Sequence, residues 1–246
     1  EFRGADGLYI NGKPFGDKLM GVNRHQDYAY IGNAVPNNLH WLDVKKMRDA
    51  GFRIIRSAHY PQDPAFMDAC DELGMFIIVA TPGWQYWNPE PVFEERILSD
   101  IRNMVRRDRN HPSVLLWEPV LNETAFPESF AQNAYRATHE EYPAPGCYAA
   151  IDDKSKGAMG YDVVYTAPKN EAFYRNAGKS CFTREYGDCV DDWNSHNSYS
   201  RVAREWGEEP QIRQAQHYAR KDYGGSLTVD QFYKSPRGHI GGALWH

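Results

Sequence analysis

The chain has 246 residues, of which 41% are hydrophobic and 25% are charged, and its formal net charge is −5. This composition excludes a disordered or fibrous chain, and the length suits one large globular domain of the barrel type. The acidic balance argues against a nucleic-acid partner. No window comes near the roughly 18 apolar residues of a membrane span.

The first predicted element is a β-hairpin at the start of the chain. Residues 8–15 show apolar alternation around Asn11-Gly12, which is the strongest short hairpin signal. We place it in a lead-in segment, residues 1–18, and expect the main domain to occupy residues 19–246. The chain begins with neither a methionine nor a signal-peptide core and stops directly after an apolar run, so we expect a fragment of a longer multidomain chain.

A strand followed by a helix then recurs along the sequence. In one such unit, a strand over residues 52–57 leads to a helix that begins at the N-cap Asp63 with Pro64 and ends at Gly74. The next strand, residues 75–80, lacks polar residues, as burial on both faces of a parallel sheet requires. The other predicted elements are strand 19–22, a helix from Asn38 to Gly51, helix 90–110, strand 114–117, helix 128–141, strands 147–150 and 163–166, helix 170–178, strand 180–183, helices after Tyr199 and after Pro210, and strand 240–244.

Eight strands with mostly helical connections predict an α/β fold, a (β/α)8 TIM barrel preceded by the short hairpin. Polar and aromatic residues cluster after these strands, at the face where barrel enzymes keep their chemistry, so we expect a site for a polar, ring-shaped ligand. No G-x-G-x-x-G or Walker A sequence is present to support nucleotide binding. The clusters are residues 23–27, Arg56 with His59, Trp84 with Trp87, Asn122 with Glu123, Asp152 with Asp153, Arg184 with Glu185, and Trp245 with His246.

Two of these residues, Glu123 and Glu185, are candidate catalytic carboxylates. A pair of carboxylates on one face favours glycoside cleavage, with retention at a separation of about 5 to 5.5 Å and inversion at roughly 6.5 to 9.5 Å. The sequence does not give this distance. Two alternatives stay open, because Glu123 could be a solvated loop residue and Glu185 could form a structural ion pair with Arg56 or Arg184.

The histidines, tryptophans and cysteines also have alternative interpretations. His25, His59 and His246 could ligate a metal in a hydrolase, although H-x-H is absent, and we favour substrate-bonding or internally satisfied imidazoles. Trp84 and Trp87 could form a sugar platform or simply pack. The cysteines show no C-x-x-C spacing and are predicted to be buried free thiols: Cys70, Cys147, Cys181 and Cys189.

Seven sequence blocks, in order and at strand ends, resemble the catalytic barrel of glycoside hydrolase family 2, nearest its β-galactosidase branch. The resemblance spans nearly the whole chain. The blocks are G-V-N-R-H-Q-D (21–27), R-S-A-H-Y-P-Q-D-P (56–64), C-D-E-L-G-M-F (70–76), N-H-P-S-V-L-L-W (110–117), N-E (122–123), R-E-Y-G (184–187) and G-G-A-L-W (241–245).

This resemblance implies a retaining exo-β-glycosidase that hydrolyses terminal β-linked sugars of oligosaccharides through a covalent glycosyl-enzyme, without a cofactor. Glu123 matches the acid/base and Glu185 the nucleophile, whose charge would raise the pKa of Glu123. The implied substrate-binding residues are Asn122, which matches the residue that binds the 2-hydroxyl, together with Arg56, His25, His59, Asp27, Trp84 and Trp245. The family also implies additional β-sandwich domains and a periplasmic or extracellular location, and it leaves the oligomeric state open.

The sequence departs from the family pattern in several places. The acid/base motif W-x-x-x-N-E carries one inserted residue, since E-P-V-L separates Trp117 from Asn122, and Glu118 becomes a rival acid. The segment T-P-G-W-Q-Y-W replaces the family's magnesium ligands, so we predict no metal. Strand six ends T-A-P, without the tyrosine expected beside the nucleophile. Because Y-G-D follows Glu185, β-glucuronidase or β-mannosidase specificity stays open, as does a non-catalytic carbohydrate-binding barrel.

Overall fold

The computed structural model describes residues 1–28, 30–168, 171–186 and 229–245. Within these ranges the chain forms a two-stranded hairpin followed by an eight-stranded parallel sheet. The helices predicted after Tyr199 and after Pro210 lie outside the described residues, as do Cys189 and His246.

The strands are β1 (Tyr9–Ile10), β2 (Lys13–Pro14), β3 (Leu19–Arg24), β4 (Ile54–Ser57), β5 (Phe76–Ala80), β6 (Val114–Glu118), β7 (Ala150–Asp152), β8 (Val163–Tyr165), β9 (Ser180–Tyr186) and β10 (His239–Leu244). The α-helices are α1 (Asn37–Asp49), α2 (Pro64–Leu73), α3 (Pro91–Asp108), α4 (Glu128–Glu141), α5 (Glu171–Asn176) and α6 (Val229–Lys234). Two short 3-10 turns lie at Gly4–Asp6 and Ala158–Gly160.

The parallel sheet curls into a nearly closed barrel. Its strand order is β6-β5-β4-β3-β10-β9-β8-β7, with every neighbouring pair parallel. The remaining gap, between β6 and β7, is crossed by a parallel bridge from Trp117 to Ala149, and the Trp117 amide donates to Tyr148 O at 2.9 Å. The predicted (β/α)8 barrel with a preceding hairpin is confirmed.

Apolar side chains fill both sides of the barrel wall. One buried cluster lies inside and includes Leu19, Ile54, Ile78 and Leu116, and others lie between the strands and the surrounding helices. Backbones approach closely at Gly21 on β3, where a Cβ atom would stand 2.0 Å from Ile54 O. Such side-chain packing fixes the carboxyl ends of the strands, where the polar residues lie.

Several predicted strand boundaries are wrong. β3 continues through Arg24 instead of ending at residue 22, and β4 begins at Ile54 instead of residue 52. β6 continues through Glu118, β9 continues through Tyr186 instead of ending at residue 183, and β7 covers Ala150–Asp152 instead of residues 147–150. The predictions followed apolar runs, whereas Glu118, Asp152 and Glu185 extend the strands because arginine side chains pair with them. These three charged residues, expected beyond the apolar runs, therefore lie on strands.

Three of the four cysteines, Cys70, Cys147 and Cys181, are described and buried, and Cys70 and Cys147 are free thiols as predicted. No helix within the described ranges is long and apolar enough to cross a membrane.

Candidate active site

A cavity of about 410 Å³ opens at the carboxyl ends of the strands, and both predicted catalytic carboxylates line it. Glu185 reaches it from β9 and Glu123 from the loop after β6. The geometry thus brings together two acids that lie far apart in sequence. The cavity is lined by His59, Trp84, Gln85, Asn122, Glu123, Glu185 and Trp245.

Glu185 is held between two arginines. Its Oε1 accepts from Arg56 Nη1 at 2.8 Å and from Arg184 Nη1. Burial raises the pKa of Glu185 above its ordinary value even though both arginines act in the opposite direction. The result is an oriented carboxylate that is more basic than a solvated glutamate.

Glu123 lies in a more open environment. Its side chain is 43% exposed, and its backbone adopts a positive φ of 48°. Gln85 Nε2 donates to Glu123 Oε2 at 2.7 Å, and Arg184 Nη2 lies 3.5 Å from Oε1. Burial acts to raise the pKa of Glu123, but the Gln85 hydrogen bond and the Arg184 charge outweigh it, so the pKa is lowered. The pKa of Glu123 is thus lowered, whereas the resemblance had implied that it is raised.

The loop after β5 sets the position of Glu123. Trp84 forms a parallel bridge with Asn122, and the Gln85 amide donates to Asn122 O at 3.0 Å. These backbone contacts explain why the Gln85 side chain reaches Glu123. The sequence indicated this loop only through its tryptophans, and Gln85 was missed.

Arg184 connects three carboxylates around the site. Its Nε donates to Asp152 Oδ1 at 2.6 Å, its Nη1 to Glu185, and its Nη2 lies near Glu123. Glu123 and Glu185 therefore contact the two terminal nitrogens of one guanidinium group, which places the candidate acids on the same side of the barrel mouth. Neither carboxylate points away from the cavity.

Arg56 lies beneath the site and is fully buried. It donates to both oxygens of Glu118, to Glu185, to Asn23 Oδ1 at 2.9 Å and to Asn122 Oδ1 at 3.2 Å. Burial alone would lower the pKa of Arg56, but the neighbouring Glu118 and Glu185 raise it, so the guanidinium stays charged. Glu185 is therefore ion-paired with Arg56, as the structural alternative predicted, and it also lines the cavity, as a catalytic carboxylate must.

Aromatic side chains form one wall of the cavity. The His59 ring stacks on Trp245 at 5.3 Å between centroids, and Trp84 lies 5.9 Å from His59. Burial, together with Arg56, lowers the pKa of His59 to about 3, so its imidazole is neutral at physiological pH. A neutral, stacked wall suits the apolar face of a sugar ring.

Not every predicted residue lines this cavity. His25 packs edge-on against Trp245 at 5.3 Å, outside the lining, and Asp27 is exposed and does not line it. Trp87, proposed as a platform, packs on Phe130 at 4.8 Å, so for this residue the packing interpretation is correct. In the described part of the chain, no group of three or more His, Cys, Asp or Glu could hold a metal ion, and the absence of a metal stays a prediction.

A second cavity, of about 740 Å³, shares Glu123 with the first. Its walls come from the segment after Glu123 and from the segment after β7. This space can hold the part of a ligand that extends past Glu123. Its lining residues are Glu123, Thr124, Ala125, Phe126, Pro127, Asp152, Asp153, Lys154, Ser155, Lys156 and Arg184.

The chain resembles known proteins in its sequence. Residues 3–143 match the model of the glycosyl hydrolases family 2 TIM barrel domain. A β-galactosidase of Thermoanaerobacterium thermosulfurigenes is 39% identical over 140 residues, which are 56% of this chain and 19% of that relative. A putative β-glucuronidase of Formosa agariphila is 33% identical over 117 residues, which are 48% of this chain and 14% of that protein. The chain spans about a fifth of the length of these curated relatives, or less.

The fold also resembles solved structures. A β-glucuronidase of Bacteroides uniformis superposes on the whole chain with a TM-score of 0.73, at 22% identity, over 32% of its own length. A β-glycosidase of Bacteroides vulgatus gives a TM-score of 0.69 at 22% identity and covers the whole chain with 36% of its own. At this identity the likeness shows the barrel fold alone.

Proposed function

Because this chain belongs to glycosyl hydrolase family 2, we propose that it is the catalytic barrel of a retaining exo-β-glycosidase acting on oligosaccharides. The family inferred from the seven sequence blocks is confirmed. The observation that carries the proposal is that Glu123 and Glu185 line one cavity and contact neighbouring nitrogens of Arg184. Two carboxylates facing one pocket are what double displacement at an anomeric carbon requires.

In the first step, a Glu185 oxygen attacks the anomeric carbon while the glycosidic bond breaks. Glu123 gives its proton to the departing oxygen, which leaves a glycosyl ester on Glu185. In the second step, water attacks the same carbon, Glu123 takes the water proton, and the Glu185 carboxylate is released. Arg56 and Arg184 fix the Glu185 carboxylate by donating to its Oε1.

Glu123 must hold a proton for the first step, although Gln85 and Arg184 lower its pKa. A bound sugar excludes water from the half-exposed Glu123 side chain, and this desolvation favours the neutral acid. Once Glu185 is esterified its charge is lost, so Glu123 again ionises readily and acts as the base. The protonation change of Glu123 is therefore coupled to occupancy of the cavity.

The sugar lies in the cavity lined by both carboxylates, and the leaving group extends into the neighbouring cavity past Glu123. Asn122 lines the first cavity and can donate to a sugar hydroxyl, while His59, Trp84 and Trp245 supply the stacking wall. Arg56 acts from beneath, through Glu185 and Asn122. His25 supports Trp245, and Asp27 lies near His25.

For specificity we propose a β-galactosidase-like enzyme, supported by two β-galactosidases at 39% and 35% identity. A β-glucuronidase-type or β-mannosidase-type specificity is the second candidate, favoured by the Y-G-D segment and the putative β-glucuronidase relative. Further β-sandwich domains in the whole protein are part of the proposal, because the chain spans only 19% of its β-galactosidase relatives.

A panel of nitrophenyl β-glycosides, assayed on the full-length protein, first selects the sugar. The matching 2-deoxy-2-fluoro glycoside then labels the nucleophile, and peptide mass spectrometry locates it. We expect the label on Glu185, and we expect Glu185→Gln to lower kcat by more than about 10³-fold. Glu95→Gln, an exposed acid on α3, is the control and keeps full activity. A label elsewhere, or none with any sugar, would favour the non-catalytic binding barrel.

A further inference from the structure

The chain carries a third glutamate at the site, Glu118, which the sequence indicated only as a rival acid. It ends β6, its side chain is 3% exposed, and it does not line the cavity that holds Glu123 and Glu185. A carboxylate without access to the sugar cannot protonate a leaving group. Glu118 is therefore not a rival of Glu123.

We propose that Glu118 is a positioning residue for the nucleophile: it fixes the orientation of Arg56, and its charge offsets part of the attraction between Arg56 and Glu185. This inference rests on the proposed function, since it assigns Glu185 as the attacking carboxylate.

The hydrogen bonds of Arg56 show how the orientation is fixed. Glu118 accepts from Nε at 2.6 Å and from Nη2 at 2.5 Å, which is the two-pronged pairing of a carboxylate with a guanidinium edge. Because the guanidinium is planar, holding this edge also fixes the direction of Nη1. Nη1 donates to Glu185 Oε1 at 2.8 Å and to Asn23 Oδ1 at 2.9 Å. The Glu185 oxygen is thereby placed through Arg56 by a residue of another strand.

The charges around Glu185 come from four side chains in the described part of the chain. Arg56 on β4 and Arg184 on β9 stabilise its anionic form, while Glu123 and Glu118 oppose it. If Glu118 were uncharged, the buried Arg56 would act on Glu185 without this opposition, and the carboxylate would be a weaker base and a weaker nucleophile. Glu118 therefore preserves the basicity of a nucleophile that two cations hold in place.

Tyr165, the last residue of β8, supports this arrangement. Its hydroxyl donates to Glu118 Oε2 at 3.1 Å, and both residues are buried. Burial and the Glu118 charge raise the pKa of Tyr165 well above its ordinary value, so the phenol keeps its proton and remains a donor. Tyr165 thus helps to hold the Glu118 carboxylate that orients Arg56.

The test compares pH profiles of kcat/KM for the full-length wild type, Glu118→Gln and Glu118→Asp on the best nitrophenyl β-glycoside. For Glu118→Gln we expect the acidic limb to move to lower pH by about 0.5 to 1 unit, because a negative charge near Glu185 is lost. We also expect kcat to fall about 10- to 100-fold, with KM changed less than about two-fold, since Glu118 does not touch the sugar.

Glu118→Asp keeps the charge but shortens the side chain, so its acidic limb should stay in place while kcat falls at least about five-fold. If Glu118→Gln does not fold, the kcat of Glu118→Asp tests the positioning role on its own. Asp108→Asn is the matched control, because Asp108 is a buried, arginine-paired acid remote from the site on α3. It should keep the wild-type kcat and acidic limb.

The role of Glu118 is overturned if the acidic limb does not move in folded Glu118→Gln, or if Glu118→Asp keeps the wild-type kcat. In either case the proposed function stands as long as the fluorosugar labels Glu185 in the wild type. A wild type that neither turns over a β-glycoside nor takes the label on Glu185 overturns both.

Discussion

Arg56 and Arg184 together contact four carboxylates, and their hydrogen bonds are distributed unequally among these acids. Glu185 accepts from both arginines, Glu118 takes two bonds from Arg56, and Asp152 takes one from Arg184. Glu123 has the longest arginine contact, at 3.5 Å, and the most exposed side chain of the four. Of these acids, Glu123 is the one best placed to exchange a proton with a leaving group or with water.

If Glu123 donates that proton, the effect of Glu123→Gln depends on the leaving group. We expect kcat/KM to fall about 10²- to 10⁴-fold for an alkyl β-glycoside or a disaccharide, whose departing oxygen needs protonation. With a dinitrophenyl β-glycoside, which leaves without a proton, the fall should be less than about ten-fold. Steady-state kinetics on the two substrate types measure the difference.

Gln85→Leu is the control variant. Gln85 contacts Glu123, but its amide is neutral and cannot act as a general acid. Since Glu123 remains present to donate the proton, the ratio of the activities on the two substrate types should change far less than in Glu123→Gln. Equal losses for Glu123→Gln on good and poor leaving groups would remove Glu123 from the acid/base role.

Individual site residues were predictable where they followed an apolar run in the sequence. Asn122, Glu123 and Trp84 were found in this way, and the structure brings them to one cavity. The lowered pKa of Glu123 could not be predicted, because it depends on a hydrogen bond from Gln85, 38 residues away in sequence. Asp27 was chosen for its position after strand one, but the loop that carries it turns its side chain to solvent.

At the scale of secondary structure, neighbouring strands pack so closely that some glycine positions tolerate no side chain. Gly21 on β3 pairs with Ile54 on β4, and a Cβ atom there would stand 2.0 Å from Ile54 O. We expect Gly21→Ala to lower the free energy of unfolding by about 2 kcal/mol or more, since backbone must move to admit the methyl group. Urea denaturation of both proteins measures this change.

Gly16 serves as the matched control, because a Cβ atom built there meets no atom within 4 Å. Gly16→Ala should leave the free energy of unfolding within about 0.5 kcal/mol of the wild type. Equal free energies of unfolding for Gly21→Ala and Gly16→Ala would contradict the close approach of β3 to β4.

Helices were predicted more accurately than strand ends. The N-cap Asp63 accepts from the Ala65 amide at 2.8 Å and Gly74 adopts the left-handed conformation, so α2 begins and ends where its capping residues indicated. Such capping is local in sequence. The ends of β6 and β9 depend instead on partners from other strands, since Arg56 binds Glu118 and Glu185 across the barrel. No local pattern reveals that pairing.

For the molecule as a whole, buried neutral histidines predict sensitivity to acid. His239 on β10 has no exposed surface, and burial lowers its pKa to about 4. The unfolded chain binds this proton near pH 6.5, so between pH 6.5 and 4 the unfolded state holds more protons and stability falls as the pH falls. We expect His239 to account for about 2 kcal/mol of the stability lost between pH 7 and pH 5.

His239→Gln keeps an amide near the position of Nε2, which contacts Thr183 Oγ1 and Thr166 O, and removes the titration. The loss of unfolding free energy between pH 7 and pH 5 should shrink accordingly in denaturation experiments. His139→Gln, on the partly exposed side of α4, is the control and should keep the wild-type loss. An unchanged pH dependence in His239→Gln would mean that this imidazole is not buried.

We propose that Glu185 displaces the leaving group at the anomeric carbon and that water, deprotonated by Glu123, then displaces Glu185 from the same carbon. Proton NMR of the full-length protein acting on its best β-glycoside follows the anomeric configuration of the first sugar released. Double displacement predicts that the β-anomer appears first and then mutarotates. Initial release of the α-anomer would show single displacement by water and would contradict the roles assigned to Glu123 and Glu185.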